Sequence, residues 1–425
     1  MMGRALERLA DRATTGRPLR VALIGAGTFG TMILSQLGRL AGVQIVAIAD
    51  RDGARAELAI VRAGLSTAPL VTRDVAELLD TDPEVVIEAT GAPAAGIAHA
   101  RMAIDHGCHV VMVNVEADVL GGPELARLAA RADVIYSLAY GDQPALICEL
   151  VDWARACGFR VVGAGKGTKY LPGYHEATPD TVWGHYGFTP EQVAAGGYNA
   201  RMFTSFLDGT KSAIEMAAVA NATGLVPPSN GLAFPPCGAH EIAERMIPVD
   251  DGGVLEHAGM VEVISSLQPD GTAVERDLRW GVYVTVAADS AYVAQCFRDY
   301  GLMTDATGNY AGLFRPSHLI GLETPVSVLA AGLIGEATGA PRGFVADVVA
   351  VAKRDLAAGQ VLDGEGGFTV YGRVVPAAPG ERRGLPIGLA HGVALRRAVG
   401  AGAVVGCDDV DGLQVPIEVS RSRGW

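Results

Sequence analysis

A glycine-rich turn near the start of the chain has the residue types and spacing that bind a phosphate. Gly25, Gly27 and Gly30 follow the apolar run 21–24 and open a stretch of helical periodicity. In such a turn the first glycine permits a tight bend, the second lets the backbone approach a pyrophosphate, and the third allows close helix–strand packing. The free N–H groups and the dipole at the start of the helix favour an anion. We therefore predict a dinucleotide site that includes Thr28 and Phe29.

A carboxylate follows this turn at the distance that dinucleotide-binding folds use. Asp50 lies 20 residues beyond Gly30, at the end of the apolar run Val43 to Ala49. There it can accept hydrogen bonds from the adenosine ribose hydroxyls, and its charge opposes a 2′-phosphate, so we predict NAD as the preferred cofactor. The adjacent Arg51 can receive a 2′-phosphate, which keeps NADP as the alternative.

Polar residues follow the next three apolar runs, where the strands of a parallel sheet would end. They are Thr90 and Gly91 after the run 85–87, Asn114 and Glu116 after the run 109–113, and Asp142 after the run 134–138. Ligands of open α/β sheets bind beyond the carboxyl ends of the strands. We expect the residues after the first two runs to contact the cofactor and the residue after the third to contact the substrate. Ordinary turns are the alternative.

Cationic side chains in the middle of the chain are candidates for binding an anionic substrate. Lys166 and Lys169 lie in the segment 165–169, whose glycines predict a loop directly after an apolar strand. Ammonium groups and loop N–H groups suit a phosphate or carboxylate, and a solvated loop is the alternative. Lys211 and Glu215 are one helical turn apart and share a face. We predict that Lys211, oriented by Glu215 and accompanied by Lys166, polarises or protonates the substrate carbonyl, with a surface ion pair as the alternative.

Three more polar residues complete the candidate site. Asn221 lies in an apolar stretch of the same helix and needs hydrogen-bond partners if it is buried, so we place it with the substrate ligands. Arg315 is a second candidate anion contact, and His318 a candidate proton relay, with a structural histidine as the alternative. The His, Asp and Glu residues show no convincing metal-ligand spacing, so no metal is predicted.

The elements that must position these residues change in type along the chain. Strand and helix patterns alternate through the first third, which predicts an α/β fold with an N-terminal Rossmann doubly wound parallel sheet. Glycine-rich loops, a helix from Lys211 to Thr223 and a strand from Trp280 to Ala287 then predict a central α+β substrate domain. After residue 343, runs of Val, Ala and Gly with turn signals predict a small all-β module. The expected domains are 1–158, 159–342 and 343–425.

Composition narrows the class of protein. The 34 Lys and Arg residues against 47 Asp and Glu give a net charge of -13, which disfavours nucleic acid as a partner. The N-terminus reads as a short amphipathic helix rather than a signal peptide, and no apolar run has the length of a membrane span, so we expect a cytoplasmic protein without a membrane partner. Six scattered cysteines argue against a disulfide framework.

The chain resembles a known family over nearly its whole length. It is similar to the homoserine dehydrogenase-like oxidoreductases that carry a C-terminal SAF domain, a β-clip module. The segments that carry this resemblance are 21–30, 109–118, 164–167, 208–216, 220–227, 351–362 and 385–390. The resemblance implies a homodimer.

One branch of that family, the 1-deoxy-D-xylulose 5-phosphate reductoisomerase-like enzymes, makes 2-C-methyl-D-erythritol 4-phosphate. Similarity to it implies an anionic sugar-phosphate pocket, in which the matching residues are Lys166, Lys211, Glu215, Asn221, Arg315 and His318. The chain departs from the branch at Asp50, where the NADPH users lack a comparable acid, and at Gln143, where they tend to have an acidic residue. It also lacks the lysine that homoserine dehydrogenases use near Asn114, which argues against homoserine as the substrate.

Together these features predict an NAD(P)-dependent oxidoreductase. We expect hydride transfer between the nicotinamide and a small polar, anionic hydroxy or carbonyl metabolite, phosphorylated or carboxylated. Two alternatives stay open. One is a reductoisomerase that converts 1-deoxy-D-xylulose 5-phosphate to 2-C-methyl-D-erythritol 4-phosphate, and the other is a non-catalytic dinucleotide sensor.

Overall fold

The computed structural model describes residues 2–425. Within these residues the strands, in chain order, are β1 Leu19–Ile24, β2 Val43–Ala49, β3 Leu70–Thr72, β4 Val85–Glu88, β5 His109–Met112, β6 Tyr136–Leu138, β7 Arg160–Thr168, β8 Met260–Ser265, β9 Val282–Ala287, β10 Met303–Thr304, β11 Tyr310–Arg315, β12 Ala346–Ala352, β13 Val361–Asp363, β14 Val370–Pro376, β15 His391–Leu395 and β16 Val410–Asp411.

The α-helices, in the same order, are α1 Met2–Thr14, α2 Thr28–Leu37, α3 Gly53–Ala63, α4 Val75–Leu79, α5 Pro93–Asp105, α6 Val115–Arg131, α7 Gln143–Ala156, α8 Val182–Tyr186, α9 Pro190–Gly196, α10 Ala200–Leu207, α11 Thr210–Thr223, α12 Ile242–Arg245, α13 Ala291–Asp299, α14 Pro325–Leu329 and α15 Ile417–Arg423. No helix among the described residues is long and apolar enough to span a membrane.

Contacts divide the chain into two compact units. The first contains Met1–Glu149 and His318–Gly343, and the second contains Leu150–Ser317 and Phe344–Trp425. Both units are therefore built from two separate stretches of chain. The three consecutive domains expected from the sequence stay a prediction, as does the SAF assignment of the C-terminal module.

The first unit contains a six-stranded parallel sheet. Its strand order is β3-β2-β1-β4-β5-β6, with parallel pairing throughout. This is the Rossmann order, and it confirms the predicted doubly wound sheet. The central strands β1 and β4 are buried along nearly their whole length because helices cover both faces, which is why they read as continuous apolar runs.

The second unit contains a mixed five-stranded sheet of order β10-β11-β9-β7-β8. Strand β7 runs parallel to β8 and antiparallel to β9. Helix α11 contacts β8 and also the antiparallel pair β12–β14, so protein surrounds it on most sides. Every residue of α11 except Lys211 is buried, which explains why the sequence of this helix has no polar face.

Several boundaries differ from the sequence-based expectation. The segment 165–169 was expected to be a loop, but β7 extends to Thr168, and Gly165 and Gly167 lie within the sheet. A Cβ on Gly165 would lie 1.7 Å from the carbonyl oxygen of Glu262, and one on Gly167 would lie 1.9 Å from that of Leu278. These glycines therefore serve close backbone approach in a strand rather than a turn.

Local hydrogen bonds define the ends of two helices near the glycine turn and after β5. Helix α2 ends at Leu37, because Gly38 caps it and donates its N–H to the carbonyl oxygen of Leu34. Helix α6 begins at Val115, since the side chain of Asn114 accepts the N–H of Ala117 and caps the helix there.

Candidate functional site

The glycine turn of the first unit joins β1 to α2. Gly25 has φ of +98°, and a Cβ there would lie 2.7 Å from the backbone of Ala89. A Cβ on Gly30 would lie 2.2 Å from the carbonyl oxygen of Gly25. By contrast, a Cβ on Gly27 would meet no atom within 4 Å. Packing therefore requires the first and third glycines, whereas the second leaves open space beside the uncapped start of α2, as a pyrophosphate site needs.

Asp50 fixes the shape of this turn. One carboxylate oxygen accepts the N–H of Ala26 at 2.8 Å, and the other accepts the N–H of Asp52 at 2.8 Å. The side chain is half-buried at the end of β2, while the neighbouring Arg51 is exposed. Because each carboxylate oxygen can accept more than one hydrogen bond, Asp50 retains the capacity to bind ribose hydroxyls.

A polar cluster lies at the ends of β4 and β5. Glu88 is fully buried, and its Oε1 accepts the hydroxyl of Thr90 and lies 3.2 Å from Nδ1 of His99. Its Oε2 has no hydrogen-bond partner among the described residues. Asn114 is buried beside the cluster, with its Nδ2 3.5 Å from the Thr90 hydroxyl, and Gly91 is exposed at φ of +68°. The structure thus brings Thr90 and Asn114 together, around a glutamate and a histidine that the sequence analysis missed.

The first turn of α6 carries two acidic side chains. Glu116 is half-buried, whereas Asp118 is fully buried and accepts the hydroxyl of Tyr136 at 2.9 Å. Burial raises the pKa of Asp118 to about 7, because water no longer stabilises the charged form and the tyrosine offsets this only partly. Asp142 is also buried, and its Oδ1 accepts the N–H of Gln143 at the start of α7.

In the second unit, Lys166 forms a buried ion pair with Glu215. Lys166 projects from β7 and Glu215 from α11, and both side chains are less than a tenth exposed. The ion-pair partner of Glu215 is thus Lys166, and the expectation that Glu215 orients Lys211 stays a prediction. Lys211 itself is half-buried in the first turn of the same helix.

A second buried ion pair lies just before α11. Nζ of Lys353, at the end of β12, is 2.7 Å from a carboxylate oxygen of Asp208 and donates to the carbonyl oxygens of Ala177 and Gly367. Burial raises the pKa of Asp208, and the ammonium of Lys353 opposes that rise. In the sequence, the one feature that could have pointed to this ion pair is the position of Asp208 directly before the glycine that precedes α11.

The side-chain amide of Asn221, an expected substrate contact, is hydrogen-bonded to the backbone at the start of β12. Its Oδ1 accepts the N–H groups of Val345 at 2.7 Å and Ala346 at 3.0 Å, and its Nδ2 donates to the carbonyl oxygen of Ala346. The side chain is 1% exposed. Asn221 thus fixes the start of β12 on α11, and these backbone groups occupy its amide.

The remaining predicted residues lie in different parts of the chain. Lys169 is half-buried, donates to the carbonyl oxygen of His185, and lies 5.3 Å from the ring centre of Tyr186. Burial, reinforced by the nearby Arg279, lowers the pKa of Lys169. Arg315 is the last residue of β11 in the second unit, and His318 belongs to the first unit. No cluster of three or more metal-ligating side chains occurs among residues 2–425.

Two family models match successive parts of the chain. Residues 25–138 match the model described as homoserine dehydrogenase, NAD binding domain, and residues 141–324 match the model described as oxidoreductase DRL, catalytic domain. The first match begins at the glycine turn and covers strands β2 to β6 of the six-stranded sheet. A comparison with curated proteins finds no match.

Parts of the chain are similar to solved structures at low identity. The chain is 15% identical to GenD2 from gentamicin A biosynthesis in complex with NAD, over 75% of this chain and 87% of that one, with a TM-score of 0.35. It is 13% identical to dipicolinate-bound dihydrodipicolinate reductase from Paenisporosarcina sp. TG-14, over 75% and 97%, with a TM-score of 0.36. An oxidoreductase from Agrobacterium radiobacter with NAD+, L-tartaric acid and magnesium is 22% identical, with a TM-score of 0.30. There the match covers 36% of this chain and 44% of that chain, so the chain spans less than half of that relative.

Proposed function

We propose that the chain transfers a hydride between NAD(P) and a small polar, anionic hydroxy or carbonyl metabolite. The matches of successive segments to the NAD-binding domain of homoserine dehydrogenase and the catalytic domain of oxidoreductase DRL support this proposal. The observation that carries this proposal is the glycine turn. Gly25 and Gly30 are required by packing, and Gly27 leaves open space beside the start of α2. A turn that served only to connect β1 to α2 would not need that open space.

NAD is the proposed cofactor. Both carboxylate oxygens of Asp50 accept backbone N–H groups, one of them from Ala26 of the glycine turn itself. These bonds hold a negative charge at the end of β2, where a ribose 2′-phosphate would approach. The exposed Arg51 is the residue that would receive a 2′-phosphate if NADP bound instead.

The proposed proton donors are the lysines of β7 and α11. When bound, the nicotinamide supplies or accepts the hydride at the substrate carbon, and reduction then requires a proton on the carbonyl oxygen. The buried ion pair with Glu215 holds the ammonium of Lys166 in a fixed position on β7. Lys211, one turn earlier on α11, is the second candidate donor, and His318 the candidate relay.

Some of the residues expected from the sequence stay candidates for binding the substrate. Lys169 and Arg315 stay candidates for the anionic group, and Asp142 stays a candidate for a hydroxyl. Asn221 stays a prediction from the sequence alone, because in the structure its amide is hydrogen-bonded to β12. The homodimer and the cytoplasmic location stay predictions.

Coenzyme titration tests the proposal. Isothermal titration calorimetry should detect NAD binding to the native chain, tighter than NADP, and Asp50→Ser should raise NADP affinity relative to NAD. Asp52→Ser is the matched control. It replaces the N-cap residue of α3 with serine, which also caps helices well, and it leaves Asp50, the proposed ribose ligand, unchanged. Absence of heat with both coenzymes, oxidised and reduced, would refute the proposal.

A turnover screen then separates the alternatives. Polyols, hydroxy acids and sugar phosphates are incubated with each coenzyme, and absorbance of the reduced nicotinamide is followed. Turnover of 1-deoxy-D-xylulose 5-phosphate with NADPH, with 2-C-methyl-D-erythritol 4-phosphate as product, would favour the reductoisomerase. Tight coenzyme binding without turnover of any compound would favour the sensor.

A further inference from the structure

The second unit contains a cavity that the proposed hydride transfer does not use. Its volume is about 130 Å³, and its wall includes His175, Asn230, Phe234, Tyr371 and Arg373. These residues come from three separate stretches of the chain, including strand β14. No carboxylate side chain is among the described residues that line it.

Arg373 is the cation of this cavity. Its side chain forms no hydrogen bond or ion pair with the described residues, and its Nε is buried without a partner. The methylene groups of Arg373 pack against Gly231, where a Cβ would lie 2.7 Å from the arginine Cγ. Gly231 also has φ of +84°, so only glycine fits there readily. The guanidinium is therefore held in place by packing rather than by a counter-charge.

The neighbouring groups leave the charge of Arg373 uncompensated. His175 donates from Nδ1 to the carbonyl oxygen of Asp208 at 2.7 Å, and its Nε2 lies 2.7 Å from the Tyr170 hydroxyl, which must then donate. Burial lowers the pKa of His175, and this neutral tautomer satisfies both contacts. The side chain of Asp208 is paired with Lys353.

The backbone of the loop that carries Asn230 and Phe234 is hydrogen-bonded to the buried side chain of Glu262. Both carboxylate oxygens of Glu262 accept the N–H of Ala233, at 3.2 and 3.1 Å, and one also accepts that of Phe234. Burial raises the pKa of Glu262 to about 7. Its oxygens thus bind the loop backbone, and it forms no ion pair with Arg373. The ring of Tyr371 stacks on the ring of His175, with their centroids 4.3 Å apart. This contact fixes the positions of two further side chains in the cavity wall.

We infer that this cavity binds the anionic group, phosphate or carboxylate, of a small metabolite, with Arg373 as its main ligand and the amide of Asn230 as a further donor. An unpaired guanidinium that is partly withdrawn from water is costly, and a bidentate oxyanion offsets that cost. A cavity wall that contains an arginine and no carboxylate side chain favours such a ligand. The inference requires no redox step and stands apart from the proposed function.

Calorimetry with inorganic phosphate and with acetate, at constant ionic strength set by chloride, tests the site. We expect the native chain to bind at least one of these probes, and Arg373→Gln to weaken that binding by 10-fold or more. Arg373→Lys should have an intermediate effect, since it keeps the charge but loses the planar fork. Arg383→Gln, which removes an exposed arginine paired with Glu381, is the matched control and should bind as the native chain does.

The titrations are repeated with saturating NAD, which occupies the glycine turn and removes any phosphate binding there. Melting temperature and NAD affinity report whether each variant is folded, so failure of coenzyme binding is seen separately from failure of anion binding. Gly231→Ala provides a second variant, because its methyl group would displace the arginine side chain. Equal anion affinity in the native chain and in Arg373→Gln, or no binding of either probe by the native chain, would overturn the inference.

Discussion

Replacing Lys353 with methionine removes the ammonium that neutralises Asp208 in the interior of the second unit. Asp208 is fully buried, and Lys353 is 8% exposed. Methionine fills a similar volume but leaves a carboxylate without a counter-charge, together with the carbonyl oxygens of Ala177 and Gly367 that lose their donor. Breaking a buried ion pair by removing one partner costs about 3–5 kcal/mol. We expect the melting temperature of the second unit to fall by roughly 10 °C.

Differential scanning calorimetry measures this effect, and two comparisons isolate its cause. The double variant Asp208→Asn, Lys353→Met has no unpaired carboxylate at this position. We expect it to recover about half of the lost stability, because the carbonyl oxygens of Ala177 and Gly367 still lack their donor. Because the contact of His175 is to the backbone of Asp208, that hydrogen bond persists in the double variant. A single variant within about 1 kcal/mol of the native chain, or a double variant no more stable than the single one, would refute the reasoning.

The same variant has a defined pH dependence. Burial already raises the pKa of Asp208, and loss of the Lys353 ammonium raises it further. The folded state then binds this proton more tightly than the unfolded state, so the carboxyl stabilises the fold as pH falls through its raised pKa. The difference between Lys353→Met and the native chain should therefore be largest at neutral and alkaline pH and shrink on acidification. A difference that grows on acidification would contradict this.

The other predictions concern the coenzyme turn and catalysis. Gly27→Ala should weaken NAD binding by about 10-fold or more with an unchanged melting temperature, since its methyl group meets only open space. Gly30→Ala should weaken binding and also lower stability by about 1–3 kcal/mol, because its methyl group clashes with the backbone of Gly25. Equal melting temperatures for the two variants would contradict this assignment. Lys211→Met should lower kcat by about 10²–10⁴-fold and leave NAD affinity intact, and near-normal turnover would remove Lys211 from the mechanism.

The sequence by itself determined the coenzyme-binding sheet. The spacing of Gly25, Gly27 and Gly30, the position of Asp50, and the alternation of apolar runs with helical patterns are local signals, because a βαβ unit is built from neighbouring stretches of chain. For that reason the strand order was predictable. The predicted loop at 165–169 failed because glycine marks close backbone approach in a strand as well as a turn, and the neighbouring strands decide which.

Only the tertiary structure decided which polar side chains pair with one another. Glu215 is one helical turn from Lys211, yet it pairs with Lys166, 49 residues away, because β7 lies against α11. Asn221 is hydrogen-bonded to the backbone next to β12, 124 residues further along the chain. Only the tertiary structure shows that the cavity around Arg373 is lined without a carboxylate side chain. Each of these facts depends on contacts between distant segments, and hydrophobic periodicity specifies which face of an element is buried but not which partner covers it.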